Sequence, residues 1–268
     1  MSENTGEYWS RIARHWALLG SPLRPSEPDL AAYRRGVAEF EQPEAVVLGA
    51  TLEFAALPWP RGSRVVAIDH NLDIIRAIWP SSGGPAIRAD WQALPLASGS
   101  QDLALCDGGL SMTPFPNGCE CIAANLSTVL RAGGLALIRA YLLPDRPELP
   151  EQVLDDLLAG RIPSLNHLKL RLGMALQPNS TDGVRLCRIW DALHEAAPSL
   201  PALAARIGWD LDHLEAIDAY RDSPNRYYFS NLKDVRGPFE RAGFRLEWTS
   251  IPSYEMGSQC PVLCFRKG

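Results

Sequence analysis

The chain has 268 residues, 26 of them Lys or Arg and 31 Asp or Glu, for a formal net charge of −5. That balance argues against a large nucleic-acid footprint. With 46% hydrophobic and 21% charged residues, it reads as a globular chain able to bury a substantial core, as one domain with insertions or two packed ones. No apolar run approaches the roughly 20 residues needed to span a bilayer. Met1–Glu7 is polar and no apolar segment of a signal peptide follows, so a cytoplasmic location with reduced thiols at Cys106, Cys119, Cys121, Cys187, Cys260 and Cys264 is expected. Cys119-Glu-Cys121 has no matching Cys or His pair elsewhere, and no metal site is expected.

The first 44 residues read as a helical segment. Trp9, Ile12, Ala13, Trp16 and Leu19 recur at helical spacing over Tyr8–Leu19. Pro22 and Pro25 then break the pattern. Ser26, with Pro28 in the first turn and Asp29 three residues on, marks a helix start. Leu30, Tyr33, Val37 and Phe40 form that helix's buried face. Arg24 is either a solvated loop residue or, on its proline-bracketed loop, a clamp for a carboxylate.

Residues 45–141 have one repeated grammar: a short apolar run, then Gly or Asp, then a polar turn. Val46–Gly49, Arg64–Asp69, Ala86–Ala89, Leu103–Cys106 and Leu135–Tyr141 read as strands of a parallel sheet, with helical patterns between them. Ligands of such sheets bind outside the carboxyl ends of the strands, where Gly49, Asp69, Asp90 and Asp107 fall. Gly49 lets a ligand approach the backbone, and the helix predicted over Leu52–Leu57 offers unpaired N–H groups beyond Thr51. Asp69 follows Gly49 by 20 residues, a spacing that suits a carboxylate accepting from both hydroxyls of a ribose; the plainer role is a cap on the next helix. Asp90-Trp91 pairs an acceptor for an adenine amino group with a ring to stack on it, unless Trp91 merely packs in the core. Asp107 then neighbours the ligand's reactive end, with glycines after it leaving space for a second molecule. A helix over Cys119–Leu130 is expected to end on a left-handed Gly133 or Gly134.

From 142 to 230 the pattern turns helical, with stripes at Leu165, Leu168, Leu172 and Leu176 and at Leu186, Ile189 and Leu193. An insert beside strand ends is a natural lid or substrate wall. Its His167, His194 and His213 fit no common metal spacing. Residues 231–268 read as a helix over Leu232–Ala242, broken or restarted at Gly237-Pro238, and two strands, Phe244–Ile251 and Cys260–Arg266. With no helix between them, those strands pair antiparallel if they pair at all.

Laid out in this order, V-V-L-G-A-T, V-V-A-I-D, R-A-D-W-Q-A-L-P-L, S-G-S-Q-D-L-A-L-C-D, L-R-A-G-G-L-A-L-I-R and the terminal R-A-G-F-R resemble the class I S-adenosylmethionine-dependent methyltransferases. S-P-L-R-P-S also resembles a small bacterial branch whose first loop reads L-G-x-T. The resemblance covers about 45–141 well and 231–266 in outline. It implies an α/β, doubly wound, seven-stranded, mostly parallel sheet with the last strand antiparallel, and S-adenosylmethionine across the strand tips. Gly49 and Thr51 would face its methionine part, Asp69 its ribose, Asp90 and Trp91 its adenine, and Asp107 and Gly108 its amino group. The full set expected at the cofactor adds Arg24, Ala50, His70 and Ser111.

The implied activity is methyl transfer to an unidentified acceptor, a small molecule, with no nucleic-acid or membrane partner. Asp107, His167 and His194 are the candidates for a base. A non-catalytic S-adenosylmethionine-binding protein and a nicotinamide-dependent oxidoreductase are the rivals. The second accounts for Gly49 and Asp69 but not for Asp90-Trp91 or the antiparallel ending.

Overall fold

The computed structural model describes residues 16–268. The Tyr8–Leu19 helix therefore falls largely outside the described residues; Trp16–Leu18 is a single 3₁₀ turn.

After that turn come helix α1 (Glu27–Val37), strand β1 (Glu44–Leu48), helix α2 (Leu52–Ala55), β2 (Arg64–Asp69), α3 (Leu72–Ile78), β3 (Ala86–Arg88), β4 (Gln101–Asp107), α4 (Asn117–Val129) and β5 (Leu130–Arg139). Helices α5 (Pro150–Leu158), α6 (Leu165–Leu176), α7 (Leu186–Ala196), α8 (Leu200–Ile207) and α9 (Leu211–Glu215) make the insert, with two-residue strands β6 (Val184–Arg185) and β7 (Arg226–Tyr227). Helix α10 (Leu232–Arg241) and strands β8 (Phe244–Ser250) and β9 (Val262–Lys267) end the chain.

Seven strands form one sheet in the order β3-β2-β1-β4-β5-β9-β8. The first five are parallel, and β9 runs antiparallel to both β5 and β8, as expected. Strand alternation sorts the side chains onto two faces. Val46, Leu48, Ala104, Cys106, Ala136 and Ile138 pack with Ile122 and Leu126 of α4 and Phe239 of α10. Ala45, Val47, Leu103, Leu105, Leu135 and Leu137 pack with Tyr33 and Val37 of α1, Phe54 of α2, and Ile74 and Ile78 of α3. Both faces are covered, which is why these strands read as unbroken apolar runs.

The insert has its own core, in which Leu157, Leu168, Leu172, Leu186, Ile189, Leu193, Leu203 and Leu214 are buried. Its ends return to the sheet. Leu143 N donates to Ser230 O at 3.0 Å, and Tyr228 N donates to Ser111 O at 2.8 Å. Those two ties hold β7 beside the tips of β4 and β5.

Three local expectations need correction. Helix α10 runs through Gly237-Pro238 without a break. Pro238 leaves one rung of the ladder empty, a cost of about 3 kcal/mol, but Val235, Pro238 and Phe239 lie on one buried face whose packing outweighs it. Gly133 has φ +78°, yet α4 stops at Val129; the Arg131–Gly134 stretch is instead an irregularity where β5 shifts register against β4. Helix α2 ends at Ala55 rather than Leu57, because a residue before proline, here Leu57 before Pro58, avoids helical geometry.

Candidate functional site

A cavity of about 480 Å³ lies over the carboxyl ends of β1–β4, between those tips and the insert. Its sheet-side wall brings together ten of the eleven residues expected at a cofactor: Arg24, Gly49, Ala50, Thr51, Asp69, His70, Asp90, Trp91, Asp107 and Gly108. Ser111 is the exception. Its hydroxyl donates to Gly108 O at 3.0 Å and its carbonyl accepts from Tyr228, so it braces the loop from behind.

The parallel register sets the tips level. Leu48 lies beside Ile68 on one side and Cys106 on the other, so the residues just past them emerge together. Gly49 has φ +99°, a conformation that favours glycine, and turns the chain toward Thr51 and α2. Asp69 is 8% exposed. Its Oδ1 accepts from Asn71 N at 2.8 Å and its Oδ2 from Ala50 N at 3.3 Å. Burial pushes its carboxyl up, against the pull of those backbone donors and of His70, whose Nδ1 is 3.6 Å away. Asp69 does not cap α3; Asn71 does, accepting from Asp73 N and Ile74 N. Its carboxylate is thus held at the cavity wall by the loop on one side and by its own turn on the other.

Trp91 both packs and lines. Its Nε1 donates to Ile68 O at 2.6 Å. A Cβ added at Gly49 would lie 3.5 Å from its ring, and one at Gly109 2.9 Å. The ring is therefore wedged between two glycine turns with another side open to the cavity. Asp90 accepts from Gln92 N at 2.9 Å, so it caps the turn that carries Trp91 while also lining the wall.

Asp107 is a member of a buried charge cluster. Arg139 lies beside it in register on β5 and pairs with it through Nε and, at 3.1 Å, through Nη2. Asp29 of α1 sits 3.5 Å from Arg139 Nη1. Tyr254 Oη accepts from Arg139 Nη1 at 3.0 Å and donates to Asp29 Oδ1 at 2.9 Å. Burial raises the Asp107 carboxyl to about 6, in spite of the opposing pull of Arg139. Gly108 has φ +63°, and a Cβ there would press into the Tyr141 ring at 2.7 Å.

Arg24 does clamp a carboxylate, but one belonging to the chain. Its Nε donates to Glu53 at 2.8 Å, and Nη1 donates to the carbonyls of Trp16 and Leu19. His167 and His194 stand away from the cavity wall. The first meets Ser164 Oγ at 2.8 Å inside the insert. The second stacks on Trp190 at 3.7 Å between ring centroids.

Trp16, Leu19, Leu23, Met112, Tyr141, Tyr220 and Tyr227 also line the cavity, and none of them was singled out for the site from the sequence. Tyr220 and Tyr227 share a hydrogen bond of 2.8 Å. Behind Tyr220, Lys169 lies with its Nζ 4.8 Å from the ring centroid. Desolvation lowers that ammonium to about 7.

No family model and no curated protein matches the chain. Solved structures do. A methyltransferase dependent on S-adenosylmethionine from Methanosarcina mazei superposes with TM-score 0.52 at 14% identity, over 91% of this chain and 99% of that one. Another, from Mesorhizobium loti, gives 0.51 at 15% identity, over 90% and 99%. The fold is that of the S-adenosylmethionine-dependent methyltransferases. A candidate Zn-dependent alcohol dehydrogenase of Rhodobacter sphaeroides also superposes, with TM-score 0.64 at 15% identity over 100% and 99% of the two chains. At such identities a likeness carries the fold and not the chemistry. Among the described residues of this methyltransferase fold, no group of three or more His, Cys, Asp or Glu stands close enough to hold a metal ion. No described helix is long and apolar enough to cross a membrane.

Proposed function

We propose that the protein binds S-adenosylmethionine across the tips of β1–β4 and transfers its methyl group to a small-molecule acceptor lodged against the insert. The observation that carries this reading is the convergence of Asp69, Asp90 and Asp107, from three separate strand tips, with Trp91 on one cavity of nucleoside size. The donor set suits the cofactor: a buried carboxylate at Asp69 for paired ribose hydroxyls, the Trp91 ring and Asp90 for adenine, and the turn at Gly49, Ala50 and Thr51 for the methionine chain. Asp107 and Gly108 would lie at its amino end, with His70 beside the ribose.

The bound cofactor supplies an already activated methyl on a cationic sulfur. What remains for the chain is alignment of the acceptor and exclusion of water, and orientation of this kind supplies about 7–11 kcal/mol of a barrier. Trp16, Leu19, Leu23 and Met112 give the cavity apolar lining that helps to exclude water. A base is needed only for an acceptor that must lose a proton. His167 and His194 are out of reach for that role, and Asp107 is engaged by Arg139.

A thermal-shift panel with S-adenosylmethionine, S-adenosylhomocysteine and NAD⁺ tests the reading. A ligand at a hundred times its Kd adds about 2.7 kcal/mol to stability, which moves the midpoint of a domain of this size by about 5 °C or more. A shift with the first two and none with NAD⁺ is expected. A shift with NAD⁺ alone would return the protein to the oxidoreductase reading.

A further inference from the structure

On the methyl-donor reading above, the strand order sets the direction of the ligand. In the order β3-β2-β1-β4, adenine at Asp90 and Trp91 takes the β3 end and ribose at Asp69 the β2 end. The chain beyond the ribose then crosses the Gly49 turn after β1 and ends over β4, at Asp107. Sulfur, bonded next to the ribose, lies short of that point, and the α-ammonium is the cation that reaches it.

Beneath that end the charges do not balance. Asp29 and Arg139 have fully buried side chains and Asp107 is 5% exposed. Arg139 commits Nε and Nη2 to Asp107 and only approaches Asp29, at 3.5 Å, so two carboxylates share one guanidinium. The neighbouring pair, Arg24 with Glu53, is neutral in itself. Glu53 Oε2 is buried and accepts no hydrogen bond among the described residues. An uncompensated buried charge is costly and is relieved by a counter-charge or by a proton. Asp107 is the member of the triad that lines the cavity, so relief by a counter-charge comes from whatever the cavity holds.

We propose that Asp29 and Arg139 are positioning residues for the ligand's amino-acid end, Arg139 fixing the Asp107 carboxylate and Asp29 keeping the group one negative charge in surplus, so that the cavity selects ligands ending in an ammonium. This rests on the methyl-donor reading and adds a specificity role for two residues that do not line the cavity. Donor and product carry the same ammonium and are held alike at this end. The selection is against nucleosides that lack it.

The groups facing Asp107 set the pH at which this operates. Arg139 on β5 opposes protonation; Asp29 on α1 and Glu53 on α2 favour it. Tyr33 on α1, Cys106 on its own strand, Tyr141 after β5, and Tyr254 and Cys260 on the segment between β8 and β9 complete the surroundings. Burial raises each of these five, so they stay protonated and neutral at physiological pH. The carboxyl of Asp107 therefore carries the change, near pH 6 in the empty cavity. Above that pH it meets the ammonium as a carboxylate; below it a proton already neutralises it and the preference fades.

Calorimetry with three ligands between pH 5 and pH 7.5 tests this. Methylthioadenosine lacks the amino-acid end, S-adenosylhomocysteine has it whole, and the decarboxylated form of the latter keeps the ammonium alone. The ratio of Kd values between the first and the third reads the ammonium, and effects at the ribose end, Asp69 and His70 included, cancel in it. At pH 7.5 wild type is expected to prefer the decarboxylated form by about thirtyfold, the scale of a charge-assisted hydrogen bond. Asp29→Asn keeps an oxygen for the bonds that Asp29 accepts from Ser26 N and Oγ at the start of α1. With one unit charge removed, it is expected to cut that preference about fivefold, with methylthioadenosine within twofold of wild type. In wild type the preference is expected to fall several-fold as pH drops through 6. A merely structural tie between α1, β4 and β5 would weaken all three ligands alike in Asp29→Asn; that result, or a wild-type preference flat with pH, overturns the proposal. If the variant does not fold, the wild-type pH series decides. Wild type that binds S-adenosylhomocysteine no more tightly than methylthioadenosine overturns the proposal and leaves the donor reading standing. Wild type that binds none of the three removes the donor reading itself.

Discussion

The two walls of the cavity are built differently. On the sheet side, each polar group sits at the end of a strand or within three residues of it, the register of that strand with its neighbours is fixed by backbone pairing, and each is held by bonds to backbone groups: Asp69 by Ala50 N and Asn71 N, Asp90 by Gln92 N, Trp91 by Ile68 O. On the insert side, Tyr220 and Tyr227 arrive from a separate helical core and are positioned by packing and by the ties at Ser111 and Ser230. The first wall is rigid and suits a ligand common to many chemistries. The second is free to vary without disturbing the sheet, which fits a role in selecting the acceptor.

Substitutions on the two walls separate these roles. Trp91→Ala is expected to have the largest effect, costing on the order of 2–4 kcal/mol of stability and more than tenfold in donor affinity, because the ring is both core and cavity lining. Denaturant unfolding and calorimetry read the two losses. Gly108→Ala comes next, at about 1–3 kcal/mol for the left-handed backbone, together with displacement of the Tyr141 ring; unchanged unfolding would show that the turn at the tip of β4 is less fixed than described.

Behind the insert wall, Lys169→Met is expected to raise the unfolding midpoint by a few degrees at neutral pH. The folded lysine titrates near 7 against 10.5 when exposed, so between those values the unfolded chain binds more protons and wild-type stability climbs with pH. Below 7 the desolvation cost is fully present. The advantage of Lys169→Met should thus shrink from pH 7 toward 10.5, and a constant difference would mean that the lysine is not held near neutral. Smallest of all, His194→Ala is expected to leave donor affinity within twofold, since that ring stacks on Trp190 away from the cavity.

How much was legible before the structure follows the same division. Strand tips announce themselves, because a doubly covered strand is an apolar run and the first Gly or Asp after it lies at the ligand edge. That is why Gly49, Asp69, Asp90 and Asp107 could be read in advance. Arg139 was missed although L-A-L-I-R ends an apolar strand on a charge, a signal that a buried partner was waiting; only the register of β4 against β5 reveals that partner as Asp107. Tyr220 and Tyr227 carried no such mark. An aromatic within a helical insert reads as core, and what turns these two toward the cavity is the return of β7 to the sheet, a contact between residues far apart in the chain. Pro238 misled in the opposite direction, because a local rule about helix breaking was overridden by the burial of one face.

The most direct measurement is calorimetric titration of S-adenosylmethionine into wild type and Asp69→Ala. The account predicts one site per chain in wild type and a loss of at least a hundredfold in affinity in the variant, with the unliganded variant still unfolding cooperatively. Retained affinity in a folded Asp69→Ala would contradict it.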